Sequence, residues 1–308
     1  MHMLLSLTLL HDAYLLHPIS PQTASIHQTA ALQHWNTATT LFNAILSRPI
    51  PASSRDAVWA TGALLGAAVF AYVEPSHPEE AWPLKPADPT DLDWLKLGEG
   101  KKAIWSIANP TRPDSMFRAL ARDLNHLQLP TWATDPDFEV VPGCWKRVFD
   151  ITPTTTITSS PYCFPVIILS RLHGLSLTHE NILDFLYFIA YMPTDFKTLL
   201  ECKDPRAMLL LLWWYRKLEH GDLWWIHRRA ALEGRAIEIW LERWFGVAEM
   251  PRGCRDGEDW LKGGKGMALL RGTFRRDERV VERVVERVVS PVEEEEGEHR
   301  ECAECPVQ

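Results

Sequence analysis

The sequence predicts an all-α protein: an irregular multi-helix bundle with two proline-rich connecting loops and a disordered acidic C-terminal tail. Three observations predict it. Apolar residues recur at helical spacing in one segment after another, as in the stripe Ile182, Phe185, Leu186, Ile189. Helix-start chemistry precedes several of those segments. Asp204-Pro205 is the plainest case, a capping carboxylate followed by a proline whose missing N–H costs nothing in a first turn. Proline clusters at 74–90 and 130–165 then divide the stripes into two helical groups.

Residues 3–16 repeat Leu at helical spacing until Pro18, and residues 26–48 form a long amphipathic stretch with Leu32, Trp35, Leu41, Phe42 and Ile45. Ser53-x-x-Asp56 has the form of a capping box, its carboxylate offered to free N–H groups at the start of the third helix. That helix runs from Ala57 to Val73, 17 residues without a charge. It is just short of a comfortable bilayer span, and its Ala/Gly content fits a helix packed closely on all sides in a soluble core. Pro75, Pro78, Pro83, Pro86 and Pro89 make 74–90 a loop, after which Thr90-x-x-Asp93 opens a helix through Trp94, Leu95, Leu97, Ile104 and Trp105. The 130–165 segment holds six prolines and the stretch TPTTTITSS, and it lacks a helical stripe. Thr178 precedes the next helix, Asp204-Pro205 starts a run through Leu218, and Gly221-Asp222 opens a last helix to about Phe245. The expected organisation is a helical domain over 1–262 and a low-complexity, partly helical tail over 263–308, where a Val-Val-Glu-Arg repeat gives way to Glu293–Glu296.

The chain has 308 residues, 46% of them apolar, enough to fill a sizeable core. Charged residues at 23% and aromatics at 10% exclude a wholly disordered or collagen-like chain. The formal charge of −8 argues against a large nucleic-acid footprint. Half of that excess lies in residues 271–308, which hold 7 basic and 11 acidic side chains, so the body is nearly neutral. Of the six cysteines (Cys144, Cys163, Cys202, Cys254, Cys302, Cys305), four are widely spaced singles, which fits reduced thiols better than a disulfide framework. The apolar N-terminus lacks a basic region and is interrupted by His11 and Asp12, so no signal peptide is expected. The chain reads as soluble and intracellular, with no membrane span.

Motifs that would carry chemistry are incomplete. Gly98-Glu99-Gly100-Lys101-Lys102-Ala103 matches a relaxed dinucleotide-phosphate string, but that site needs a preceding strand, and LDWLKL reads as helix. Lys262-Gly263-Gly264-Lys265-Gly266 lacks the Ser/Thr of a Walker loop. His299-x-x-Cys302-x-x-Cys305 supplies three zinc ligands without a fourth, so no metal site is expected. Terpene cyclases share a tryptophan-rich helical make-up, but they hold magnesium and diphosphate on Asp-Asp-x-x-Asp clusters. This chain has no adjacent Asp pair, and Asp135-x-Asp137-x-Glu139 falls in a proline-rich loop. No Gly-x-Ser-x-Gly or His-Glu-x-x-His occurs. An enzyme is not expected.

The strongest local feature is aromatic. Leu209–Leu212 leads into Trp213-Trp214-Tyr215, and Leu223-Trp224-Trp225-Ile226 follows across Gly221. Adjacent tryptophans on a helix point about 100° apart, so one faces the core while the other meets a neighbour or solvent. These residues are core packing or the wall of an apolar pocket suited to a flat hydrophobic ligand.

Several blocks in order carry a family resemblance: HMLLSLTLLHDAYL (2–15), LDWLKLGEGKKAIW (92–105), SPYCFPVIILSRL (160–172), LTHENILDFLYFIAYMPTDFKTLL (177–200) and CKDPRAMLLLLWWYRKLEHGDLWWIHRRAALEGRAI (202–237). Over roughly residues 2–250 the chain resembles the regulatory domain of fungal zinc binuclear-cluster (Zn2Cys6) transcription factors of the sterol uptake control type. The resemblance implies an all-helical domain that senses a sterol or other apolar ligand, takes part in transcription regulation with protein partners, and resides in the nucleus. Trp213, Trp214, Trp224, Trp225, Phe185, Phe188 and Met192 are the pocket or core candidates it brings forward. The family's six-cysteine DNA-binding module is absent, so no zinc and no direct DNA binding are expected of this chain, and a cytoplasmic location is a consistent alternative. The alternative reading of function is a protein–protein interaction module, or a truncated gene product without a ligand.

Overall fold

The computed structural model describes residues 1–119, 138–221 and 223–245. Among them the chain is all-α, with no strand. The helices are α1 (His2–Leu16), α2 (Pro21–Leu46), α3 (Arg55–Ala71), α4 (Leu97–Ala108), α5 (Gly143–Val148), α6 (Cys163–Leu172), α7 (Ile182–Ala190), α8 (Thr194–Glu201), α9 (Pro205–Glu219) and α10 (Trp224–Phe245). The boundary expected near residue 262 and the tail beyond it lie outside the described residues, as do Asp135, Asp137 and the His299–Cys305 motif.

Helix α9 is central because its sequence from Ala207 to Tyr215 is apolar all round. Ala207, Met208, Leu209, Leu210, Leu211, Leu212, Trp214 and Tyr215 lose essentially all of their surface. Around it α6, α7, α8 and α10 close the main core with Phe164, Ile167, Phe185, Phe188, Phe196 and Ile226. The start of α9 follows from local chemistry, with one distant hydrogen bond added to it. The Asp204 carboxylate accepts from the Ala207 N–H at 2.9 Å and from the Tyr162 hydroxyl at 2.8 Å, with Pro205 in the first turn. Burial pushes the Asp204 carboxyl above its ordinary range and the Tyr162 hydroxyl well above its own.

Helices α1 and α2 form an antiparallel hairpin, as the His2–His34 contact at 2.9 Å and the Asp12–His27 contact at 3.7 Å show. Its inner side is built largely of small residues, Ala24, Ala31 and Ala38, with Met3 and Leu10. Helix α3 packs against α1, α4 and α10. It crosses α4 closely at Gly62, where an added Cβ would stand 3.2 Å from Ile104 Cγ2. Contacts on three sides fall short of the closed packing expected from sequence, since Ala57 and Ala63 reach solvent. No described helix is long and apolar enough to cross a membrane.

Three local expectations need correction. The Ser53/Asp56 capping box does not form: Ser54 stands at the cap position without a side-chain bond. Asp56 instead accepts from the Met116 N–H at 3.0 Å, Ser115 Oγ at 2.8 Å and Arg112 at 2.7 Å, and these hold its carboxyl below the usual range, the Met116 N–H most of all. A tertiary partner offering a full positive charge outcompetes the helix's own N–H groups. Thr90 is likewise no cap, because its hydroxyl is bonded to Asp88 at 2.5 Å, and Asp93–Lys96 is a 3-10 turn ahead of α4. The second proline-rich segment is not all loop either. Pro142 stands just before α5, where its lack of an N–H is harmless, and Trp145, Val148 and Phe149 anchor that short helix in the core.

Candidate functional site

The aromatic residues singled out from the sequence do not form one group. Trp214, Phe185 and Phe188 lie together at the centre of the molecule, each with no exposed surface. The Trp214 indole stacks on Phe188 (centroids 5.2 Å, 16° between planes) and lies parallel to Trp94 (6.1 Å, 4°). Its N–H donates to the Phe185 carbonyl at 2.8 Å, which satisfies its one polar atom. A side chain lining a void of even water size would keep some accessible surface. These three keep none, so their role is core packing. Met192, 6% exposed, belongs to the same main core.

Of the other three candidates, Trp213 and Trp225 lie against the edge of the same core and Trp224 belongs to the hairpin cluster. Trp213 is half-buried and stacks on Trp145 (4.4 Å, 19°), with Phe149 edge-on at 6.1 Å. Trp225 packs edge-on against Phe70 at 6.0 Å. Trp224 belongs to the hairpin junction, where its indole meets His11 at 4.8 Å and Tyr14 at 6.2 Å. The helical step of about 100° separates each adjacent pair, as the sequence requires.

A polar cluster that pattern reading did not single out lies beside this core. Arg229 and Glu233, one turn apart on α10 and each 8% exposed, form an ion pair, and the Tyr215 hydroxyl donates to the same carboxylate. Arg229 also donates to the Val69 and Tyr72 carbonyls at 2.8 and 3.0 Å, so it caps the open end of α3. Its guanidinium lies 5.7 Å from the Trp94 ring and 5.9 Å from Phe70. Burial drives the Tyr215 hydroxyl well above its usual range, so it stays protonated and donating. The Arg-x-x-x-Glu spacing was legible, but nothing in the sequence marks it as buried.

Two indole N–H groups, those of Trp94 and Trp145, are buried without a partner. The Tyr191 hydroxyl is a third such donor. Each leaves a buried donor unsatisfied, at a cost in stability. Cys163 and Cys202 are both free thiols, and burial raises the Cys163 thiol to about 11, which makes it inert. No group of three metal-ligating side chains occurs among the described residues. The glycine string of 98–103 falls at the start of α4 behind a 3-10 turn rather than a strand, so the geometry that cradles a dinucleotide phosphate is not there. No family model, curated protein or solved structure matches this chain.

Proposed function

We propose that this chain is the helical effector domain of a transcription-regulator-like protein, acting by binding an apolar small molecule of sterol type rather than by catalysis. One observation carries the reading. Blocks separate in sequence that resemble the sterol-regulator domain supply the immediate surroundings of one indole: Trp94 from 92–105, Phe185 and Phe188 from 177–200, and Trp214 and Tyr215 from 202–237. With Trp214 sealed, ligand contact falls to Trp213, which is only partly buried where it stacks on the buried Trp145. Titrating the chain with a naturally fluorescent sterol while following tryptophan emission tests this. Saturable energy transfer that is lost in Trp213→Ala and kept in Trp224→Ala is expected. A flat titration overturns the ligand.

The second reading is a protein–protein interaction module, and the α1–α2 hairpin favours it. Among residues 1–47 Asp12 is the only Asp, Glu, Lys or Arg, beside five histidines, while Leu4, Leu15, Ile26 and Leu41 are more than half exposed. In neither reading does the chain bind DNA on its own. A sequence-specific mobility shift by the purified chain would refute that clause.

A further inference from the structure

Two histidines from opposite helices of the hairpin meet nitrogen to nitrogen. His2 opens α1 and His34 lies midway along α2, 32 residues further on, and their Nδ1 atoms stand 2.9 Å apart. Both residues are half-buried, and their ring centroids lie 5.1 Å apart with 39° between planes. Among the described residues neither ring has another hydrogen-bond partner. With both imidazoles neutral, one Nδ1 carries a proton and donates it in an N–H···N bond to the other. Moving that proton to Nε2 of the same ring leaves two lone pairs facing one gap, the state in which a pair of imidazoles receives a metal ion.

We propose that His2 and His34 chelate a divalent transition ion of the copper(II) and nickel(II) class, which staples α1 to α2, with water in its remaining positions. The separation selects that class. At a metal–nitrogen bond of about 2.0–2.1 Å, two ligands at right angles stand about 2.9 Å apart, and two at the tetrahedral angle about 3.3–3.4 Å. The observed 2.9 Å matches the right angle, which tetragonal copper(II) and nickel(II) sites use and tetrahedral zinc sites do not. The rings face one another nearly head on, and a turn about χ2, a soft torsion in histidine, aims both lone pairs at an ion beside the line between them. Charge permits it. Residues 1–47 contain no Lys or Arg, and α3, which packs against α1, is uncharged from Ala57 onward. Only the positive end of the α1 dipole, at His2, opposes a cation. The chelate would bridge two helices whose shared seam is built of small side chains, Ala31 and Ala38 among them, so it acts where the packing contributes least.

Hydrogen exchange of the full chain, stripped of metal with a chelator and then titrated with nickel(II), tests the proposal. Nickel(II) is the probe because the chain's thiols do not reduce it. The ion binds only the closed hairpin, so α1 and α2 amides should exchange about tenfold more slowly at a free concentration about ten times the Kd. His34→Gln should abolish that protection and leave metal-free exchange nearly as it was, because Gln keeps a hydrogen-bonding side chain and good helix propensity but lacks the imidazole these ions favour. If His34→Gln itself loosens the hairpin, His2→Gln carries the test. Cys302→Ser combined with Cys305→Ser should leave the protection intact, which separates this pair from the ligands of the tail. Absence of protection at about 1 mM nickel(II) overturns the proposal, as does protection that survives both histidine variants or is lost with the two cysteines. Zinc(II) acting at lower concentration than nickel(II) overturns the right-angled site. None of these outcomes depends on sterol binding, which is read separately through Trp213.

Discussion

Glu233 shows how much one residue decides. Its carboxylate receives both the Arg229 guanidinium and the Tyr215 hydroxyl in a site from which water is nearly excluded. Replacing it removes the negative charge paired with Arg229 among the described residues, and a buried charge stripped of its partner costs about 3–5 kcal/mol. Arg229 keeps the Val69 and Tyr72 carbonyls, which places Glu233→Gln toward the lower end. The triple change Arg229→Met, Glu233→Leu, Tyr215→Phe removes every charge and donor together. Urea unfolding should find the triple variant more stable than Glu233→Gln by about 1–3 kcal/mol, since an apolar replacement of a buried ion pair is often near neutral. A triple variant less stable than the single one would show that the carbonyl cap on α3, and not the ion pair, is the larger contribution.

At the scale of elements, two glycines illustrate what local sequence conveys and what it does not. A Cβ at Gly66 would meet only Lys101 Cε and Nζ, at 2.7 and 3.0 Å, the far end of a flexible chain that can move aside. A Cβ at Gly221 would fall 2.7 Å from Leu177 Cβ, which is fixed to backbone. Gly66→Ala should therefore gain up to about 1 kcal/mol from helix propensity, whereas Gly221→Ala should lose at least that much through displacement of Leu177. Thermal melts of the two variants, moving in opposite directions, check both. Neither sign is readable from sequence, because the neighbours that decide it, Lys101 for Gly66 and Leu177 for Gly221, are 35 and 44 residues away. The Asp204-Pro205 start of α9 was legible because the cap bond itself, Ala207 N–H to the Asp204 carboxylate, spans three residues, whereas the Tyr162 hydroxyl on the same carboxylate was not. The Asp56 misreading has the opposite cause: its partners Arg112, Ser115 and Met116 are 56 to 60 residues away. Helix α5 escaped pattern reading because six residues are too few to display a period.

At the scale of the whole molecule, the all-α class was legible because helical stripes are local, while the candidate site was only partly so. Composition placed four tryptophans in one block, but the 100° step and the turn at Gly221 send Trp214 to the centre, Trp213 to Trp145, Trp225 to Phe70 and Trp224 to the hairpin. That last contact bears on how the molecule comes apart. The main core joins α6 to α10 through large side chains that are wholly buried, whereas the α1–α2 hairpin is held by a cluster whose fully buried members are Met3, Leu10 and three alanines. Alanine contributes little apolar area, at about 25 cal/mol per Å², so the hairpin should open at lower free energy than the rest. Hydrogen exchange should show α1 and α2 amides exchanging faster than those of α9. Trp224 joins the two parts through His11 and Tyr14, and Trp224→Ala should speed exchange throughout the hairpin by roughly tenfold or more while leaving α9 nearly unchanged. Equal acceleration in α9 would mean that hairpin and core unfold as one cooperative unit, and that the small-residue seam is stronger than its buried area implies.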